Sequence, residues 1–205
     1  MPGSDDYIVG TAGNDLINAQ GGSDTVLGEQ GKDTLVGGAG EDVLKGGGDV
    51  DYVYGGQQAD KLYGDGGNDR MFAGDGNDRA YGGDGRDRID GGEGDDKLYG
   101  GDAGDALQGG NGNDVLYGDS ADGNDDEGFA DFFVFDTADG SDKVFDFEGG
   151  LDKVALLGDG SVAATFTYFA NGNTVMVYGT TTVTFLDEFV TAADVIYTTA
   201  VEDLF

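Results

Sequence analysis

Aspartate recurs every nine residues through the first half of this chain. The series is Asp6, Asp15, Asp24, Asp33, Asp42, Asp51, Asp60, Asp69, Asp78, Asp87, Asp96, Asp105 and Asp114, and no insertion breaks it. Two residues after each comes an apolar side chain, from Ile8 and Ile17 through Leu98, Leu107 and Leu116. A glycine-rich run precedes each, clearest in Gly82-Gly83-Asp84-Gly85-Arg86-Asp87. One fixed carboxylate beside peptide carbonyls bared by glycine turns is chemistry for a hard cation. Calcium takes six to eight oxygens at about 2.3–2.6 Å, drawn from carboxylates and carbonyls. A solvated acidic face would explain the charge but not the period. A phosphate cradle would need a helix N-terminus, and no glycine run here opens a helix.

Composition narrows the partners. The chain has 205 residues, a net charge of −32, 42 Gly and one Pro. Gly and acid content alone would suit a disordered linker, but a strict period does not. The acidic balance argues against nucleic acid, whose affinity rests on Lys and Arg neutralising phosphates. It argues equally against anionic membranes and strongly anionic glycans, though a local patch can differ. With no Cys and no His, disulfides, thiolate ligands, His-ligated zinc and charge-relay triads are excluded. No apolar run approaches a membrane span, and no cleavable N-terminal signal precedes the repeats. Export without a cleaved N-terminal signal is the expected route. The abrupt start at Met1-Pro2-Gly3 is what a fragment of a longer protein, or a short natural protein, would show.

The elements that must position the carboxylates follow from the period. Gly reaches φ > 0 without steric cost, so each run turns the chain tightly. The next three residues form a short strand with its middle side chain inward. Two nonapeptides complete one coil of about 18 residues, and loops n and n+2 stack on one edge at about 4.8 Å. The predicted fold is all-β: a right-handed parallel β-roll, or β-solenoid, of two nonapeptides per turn over residues 1–117. An acidic insertion, 118–130, breaks the period. Residues 131–205 form a small C-terminal capping β segment, since solenoid ends need covers to stay soluble. Its predicted strands are 132–135, 143–147, 153–157, 164–170, 174–178, 181–186 and one around Val195-Ile196-Tyr197. Asn171-Gly172 signals a hairpin, and Thr191-Ala192-Ala193-Asp194 reads as a short helical turn with a Thr cap.

The loops resemble the repeats-in-toxin (RTX) nonapeptide, G-G-x-G-x-D-x-U-x, where U is apolar. That resemblance implies calcium between stacked loops, held by the aspartate and by loop carbonyls. Asp15, Asp33, Asp51, Asp69, Asp87 and Asp105 would line one edge. Asp24, Asp42, Asp60, Asp78, Asp96 and Asp114 would line the other, with Asp6 as a frayed start. Loop carbonyls would come from Gly37, Gly40, Gly82, Gly83, Gly85, Gly91, Gly92, Gly94, Gly109, Gly110 and Gly112. Six loops per edge give about five sites per edge, about ten ions at most. At the fourth position, where Gly is expected, stand Asp49, Gln58 and Ala103, so sites near Asp51, Asp60 and Asp105 are expected to be weaker or missing. Ala80 is small for an inward position and predicts a thinner core there.

The tail resembles the segment that follows the repeats in serralysin-type proteases. The resemblance runs through Asp131-Phe132-Phe133-Val134-Phe135, Gly140-Ser141-Asp142-Lys143-Val144-Phe145-Asp146-Phe147, Asp152-Lys153-Val154, Gly172-Asn173-Thr174-Val175 and Thr191-Ala192-Ala193-Asp194-Val195-Ile196. It implies an uncleaved C-terminus read by a type I secretion machine, and Val201-Glu202-Asp203-Leu204-Phe205 fits that ending. Asp142, Asp146 and Asp152 either hold a further calcium or are solvated turn aspartates. No zinc motif is present, so protease activity is not carried over, and no cleft signal suggests another enzyme.

Without metal, the stacked carboxylates repel and the small core does not repay the ordering of the loops, so the array is expected to unfold. The predicted function is a secreted, extracellular module of a bacterial protein, unfolded where calcium is scarce and folded where it is abundant. Magnesium, with its strict octahedral demand, should not substitute. A second pattern runs outside: Lys61 and Tyr63, Arg79 and Tyr81, Lys97 and Tyr99, then Val115 and Tyr117. Rings beside cations either stabilise neighbouring strands or contact glycan. A stand-alone glycan-binding surface protein is therefore the alternative.

Overall fold

The computed structural model describes residues 3–119, 129–158, 160, 162–168, 172–186 and 190–198. The strands are β1 Tyr7–Val9, β2 Leu16–Gly21, β3 Thr25–Gln30, β4 Thr34–Ala39, β5 Val43–Gly48, β6 Tyr52–Gln57, β7 Lys61–Gly66, β8 Arg70–Asp75, β9 Arg79–Asp84 and β10 Arg88–Glu93. They continue with β11 Lys97–Asp102, β12 Ala106–Asn111, β13 Val115–Tyr117, β14 Phe132–Phe135, β15 Ser141–Phe145, β16 Lys153–Leu157, β17 Thr165–Tyr168, β18 Thr174–Tyr178, β19 Thr181–Phe185 and β20 Val195–Thr198. Odd-numbered strands β1 to β15 stack on one face, and even-numbered strands β2 to β16 on the other. Each pairs in parallel with the strand one coil on, as in Lys61↔Arg79↔Lys97. The all-β parallel solenoid expected from the period is the fold.

The strands are longer than the three residues expected. From β2 to β12 each runs six residues and includes the start of the next glycine run. The glycines are themselves in register, Gly83 against Gly101 and Gly92 against Gly110. Eighteen-residue periodicity stacks every backbone position, so the turns carry ladder hydrogen bonds too, such as Gly94 N–H to Asn111 O at 2.8 Å.

Inward apolar side chains make one continuous core. Val26, Leu35, Leu44, Val53, Leu62, Met71, Ala80, Leu98, Leu107 and Leu116 are fully buried, whereas Ile8 and Ile17 in the first coil are only partly so. Ala80 lies in register between Leu62 and Leu98, so that row loses side-chain volume at its middle.

Beyond the insertion the coil does not end. β14 pairs in parallel with β12, β15 with β13, and β16 with β14. β19 and β20 then pair in parallel with β15 and β16. Among the described residues only β17, β18 and β19 form an antiparallel meander. Phe133, Phe147 and Phe185 fill this wider end with tilted and edge-on ring contacts at 5.9 and 5.1 Å. The strand expected at 143–147 starts two residues earlier, and Phe147 is buried beyond its end. The 191–194 segment is a turn without a helix, with Thr191 and Asp194 bonded to each other. The β17–β18 hairpin forms, but Asn171 of its loop lies outside the described residues, as do most of the acidic insertion and the ending at 201–205.

Candidate metal centres

Every aspartate from Asp24 to Asp114 in the series is buried, at the boundary between a glycine turn and a strand. Asp15, in the open first coil, is only half-buried. One carboxylate oxygen, Oδ1, accepts the backbone N–H of the aspartate one coil earlier. Asp69 N–H bonds to Asp87 Oδ1 at 2.7 Å, Asp78 N–H to Asp96 at 2.7 Å, and Asp96 N–H to Asp114 at 2.8 Å. The backbone ladder continues from the same residues, with Arg88 N–H donating to Asp69 O at 2.9 Å. The aspartates thus form two columns, one along each edge, as the spacing implied.

The other oxygen, Oδ2, has no hydrogen-bond partner in any of the buried repeat aspartates from Asp24 to Asp114. Buried polar atoms are nearly always satisfied, and an unpaired charge in a low dielectric is costly. Desolvation accordingly pushes the repeat carboxyls from Asp33 to Asp114 up in the metal-free chain. Asp69 rises to about 6, Asp51, Asp60 and Asp96 to about 7, and Asp87 and Asp114 to about 8. Neighbouring carboxylates one coil away add to the rise, and the backbone N–H bond only partly offsets it.

Carbonyl oxygens border the same space as these bare atoms. A Cβ placed on Gly82 would lie within 3.0 Å of both Asp87 Oδ2 and Gly100 O. The same pair of approaches occurs at Gly37, Gly91 and Gly100, with Asp42 and Gly55 O, Asp96 and Gly109 O, and Asp105 and Gly118 O. At Gly109 the three nearest atoms all belong to Asp114. Among the described residues no three acidic side chains converge on one point. A cation in these loops would therefore draw one carboxylate per loop and take its remaining oxygens from the backbone. Hard oxygen donors, buried charge and unmet lone pairs fit calcium.

The glycines named from sequence divide into two roles. Gly40, Gly83, Gly85, Gly92, Gly94, Gly110 and Gly112 have positive φ and form the turns. Gly37, Gly82, Gly91 and Gly109, in the cradle column, do not, and a Cβ there would lie within 3.0 Å of the Oδ2 of the aspartate five residues on. Asp49, Gln58 and Ala103 keep the left-handed turn at φ 73°, 75° and 73°. Around them Asp51, Asp60 and Asp105 retain the hydrogen bonds of the other loops. Gln20, Glu29 and Asp65 also adopt positive φ, at the second position of their loops. Ala19 and Ala73 carry a methyl in the cradle column. Aligning all nine columns, rather than the fourth alone, reveals these five.

The C-terminal carboxylates separate. Asp142 joins the edge of Asp114, whose N–H bonds to Asp142 Oδ1 at 3.0 Å. Asp152 joins the other edge through Asp131: Asp105 N–H bonds to Asp131 Oδ1 at 2.8 Å, and Asp131 N–H to Asp152 Oδ1 at 3.0 Å. Asp146 stands apart and accepts the N–H of Gly118 at 2.9 Å. Asp131, not among the sequence candidates for metal, is buried and pushed up to about 8 by desolvation and by Asp152, Asp119 and Asp146.

On the outer face Tyr63, Tyr81, Tyr99, Tyr117 and Phe145 stack with centroids 4.7–5.0 Å apart and planes within 12°. Lys61, Arg79 and Lys97 stand in register beside them. Lys45 lies over the end ring, 4.9 Å from the centroid of Tyr63.

A family model described as the RTX calcium-binding nonapeptide repeat matches in four copies, at residues 3–35, 27–62, 63–98 and 98–126. No curated protein matches the chain. Among solved structures, the extracellular lipase LipA from Serratia marcescens aligns with a TM-score of 0.41 and 19% identity. That alignment covers 96% of this chain and 40% of the lipase, so the chain spans well under half the length of that protein.

Proposed function

Because the chain belongs to the family of RTX calcium-binding nonapeptide repeats, we propose that it is a calcium-gated folding and secretion module of an extracellular bacterial protein. Its repeats bind calcium at multiple sites. The observation that carries the gating is the column of buried carboxylates with a bare Oδ2. Bound calcium would supply the positive charge and coordination that these oxygens lack. The chain's own part is positional. Asp33 to Asp105 on one edge and Asp24 to Asp114 on the other hold one oxygen each against the cradle. Oδ1 stays tied to the backbone one coil earlier, so the carboxylate cannot swing away. Glycine at the cradle column leaves the space for the ion.

Two consequences follow from linkage. The folded coil presents the cradles and the unfolded chain does not, so binding and folding are coupled. About ten ions would contribute about +20, offsetting more than half of the −32. An unfolded, acidic, cysteine-free chain suits passage through a type I secretion machine. Folding then begins where calcium is abundant. The module works by folding rather than by catalysis. The tyrosine row we read as a strand-stabilising ladder and not as a glycan platform, because the rings cover one another's faces. That reading leaves only ring edges for a ligand.

The test is a calcium titration followed by far-UV circular dichroism, with magnesium as the control. A β signal that appears only with calcium is expected. A signal already complete in chelator, or one produced equally by magnesium, contradicts the proposal.

A further inference from the structure

The family match stops at residue 126, yet the edge formed by Asp78, Asp96 and Asp114 does not stop there. In the coil before, Gly94 N–H donates to Asn111 O at 2.8 Å and Val115 N–H to Asp96 O at 2.9 Å. One coil later the same bonds recur with different spacing. Gly112 N–H donates to Asp139 O at 2.7 Å, and Lys143 N–H to Asp114 O at 2.9 Å. Gly112 bridges Gly140 in parallel, and Gly140 has φ +121°. A Cβ on Gly140 would strike Gly112 O, just as one on Gly112 would strike Gly94 O. Val144 is buried against Leu116 in register. Asp139-Gly140-Ser141-Asp142-Lys143-Val144-Phe145 therefore occupies positions three to nine of a nonapeptide. The acidic insertion displaces it to 28 residues after its partner instead of 18, which hides it from a period search.

We propose that Asp142 closes an additional calcium site with the Asp114 loop, beyond the repeats, and that this site fastens the C-terminal strands to the roll. The proposal rests on the calcium reading above. Asp142 is 2% exposed and its Oδ2 has no partner, as is also true of Asp114. The two residues are joined as the repeat aspartates are, by the bond from the backbone N–H of Asp114 to Asp142 Oδ1 at 3.0 Å. The other C-terminal candidates lack this arrangement. Both oxygens of Asp152 are taken, by Asp131 N–H and by Glu148 N–H at 2.8 Å. Beyond Asp152, the ammonium of Lys153 lies 3.8 Å from Asp194, so a side-chain cation ends that edge. Asp146 is only half-buried.

The loop is braced from the far end of the chain. Asp139 N–H donates to Thr181 Oγ1 at 2.8 Å, and that hydroxyl donates to Asp136 O at 2.6 Å. Thr181 opens β19, which pairs with β15. Loading this site thus orders the loop that β19 docks against.

Two measurements on the full chain test the site. Crystals grown in calcium, examined by long-wavelength anomalous scattering, are expected to show a peak between Asp114 and Asp142. Native mass spectrometry is expected to count one ion fewer in Asp142→Asn, while Asp146→Asn and Asp152→Asn keep the wild-type count. Peaks along the repeat columns with none at Asp142 overturn this inference and leave the calcium-gated module standing. An unchanged count in Asp142→Asn does the same. No calcium anywhere in wild type overturns both.

Discussion

At the scale of the residue, the decisive atom is the unpartnered Oδ2 of each buried repeat aspartate from Asp24 to Asp114. Its consequences for pH have a definite sign. In the metal-free coil burial raises Asp69 to about 6, Asp51, Asp60 and Asp96 to about 7, Asp87 and Asp114 to about 8, and Asp105 to about 10, whereas the unfolded chain titrates near the ordinary aspartate value of about 4. The folded form then holds more protons than the unfolded form across that interval. The stabilising contribution is fully present below about pH 4 and is lost as pH rises through the raised values. In chelator, far-UV circular dichroism should therefore show more β structure at mildly acid pH than at pH 8. With calcium present the trend reverses, because protons compete for the same oxygens. A second expectation concerns the cradle. Gly82→Ala puts a methyl against Asp87 Oδ2 and Gly100 O. It should raise the calcium concentration at the folding midpoint, read by the same titration.

At the scale of the element, each strand adds one inward side chain and one outward row. Leu98 is fully buried and in register with Ala80 and Leu116. Leu98→Ala should cost about 2–5 kcal/mol in the loaded form, measured by denaturant unfolding at saturating calcium. The outer row contributes less. Tyr99 stacks on Tyr81 and Tyr117 at 4.8 and 4.7 Å, so Tyr99→Ala should cost about 1–3 kcal/mol for the two contacts. Calcium stoichiometry should not change in that variant. Strand positions were legible from sequence because the inward residue, Val26 or Leu62 for example, falls at a constant distance from its aspartate. Strand length was not. Glycine has low strand propensity in isolation, and only the parallel stacking of Gly83 on Gly101 turns the glycine run into ladder.

At the scale of the whole molecule, the coil is a one-dimensional stack whose two ends differ. The first coil leaves Tyr7 70% and Leu16 79% exposed, while the far end is filled by Phe133, Phe147 and Phe185. Each coil is held by its neighbours, so the last one needs a cover. A chain ending at residue 118 loses the acceptors for Asp105 N–H and Asp114 N–H, which are Asp131 and Asp142. It also bares Leu107 and Leu116. It should need more calcium to fold and should self-associate, as read by circular dichroism with light scattering.

The period, the inward residue, the two carboxylate columns and the demand for a hard cation could all be read from the order of residues. Each of these repeats, and a repeat copies its local geometry at every step. Tertiary structure alone decided where the columns end. Asp131, Asp142 and Asp152 lie 26, 28 and 21 residues from the aspartates they serve, offsets that no fixed interval predicts. Loops of unequal length can return the chain to the same rung, because backbone hydrogen bonding recognises position in space and is indifferent to the number of residues between.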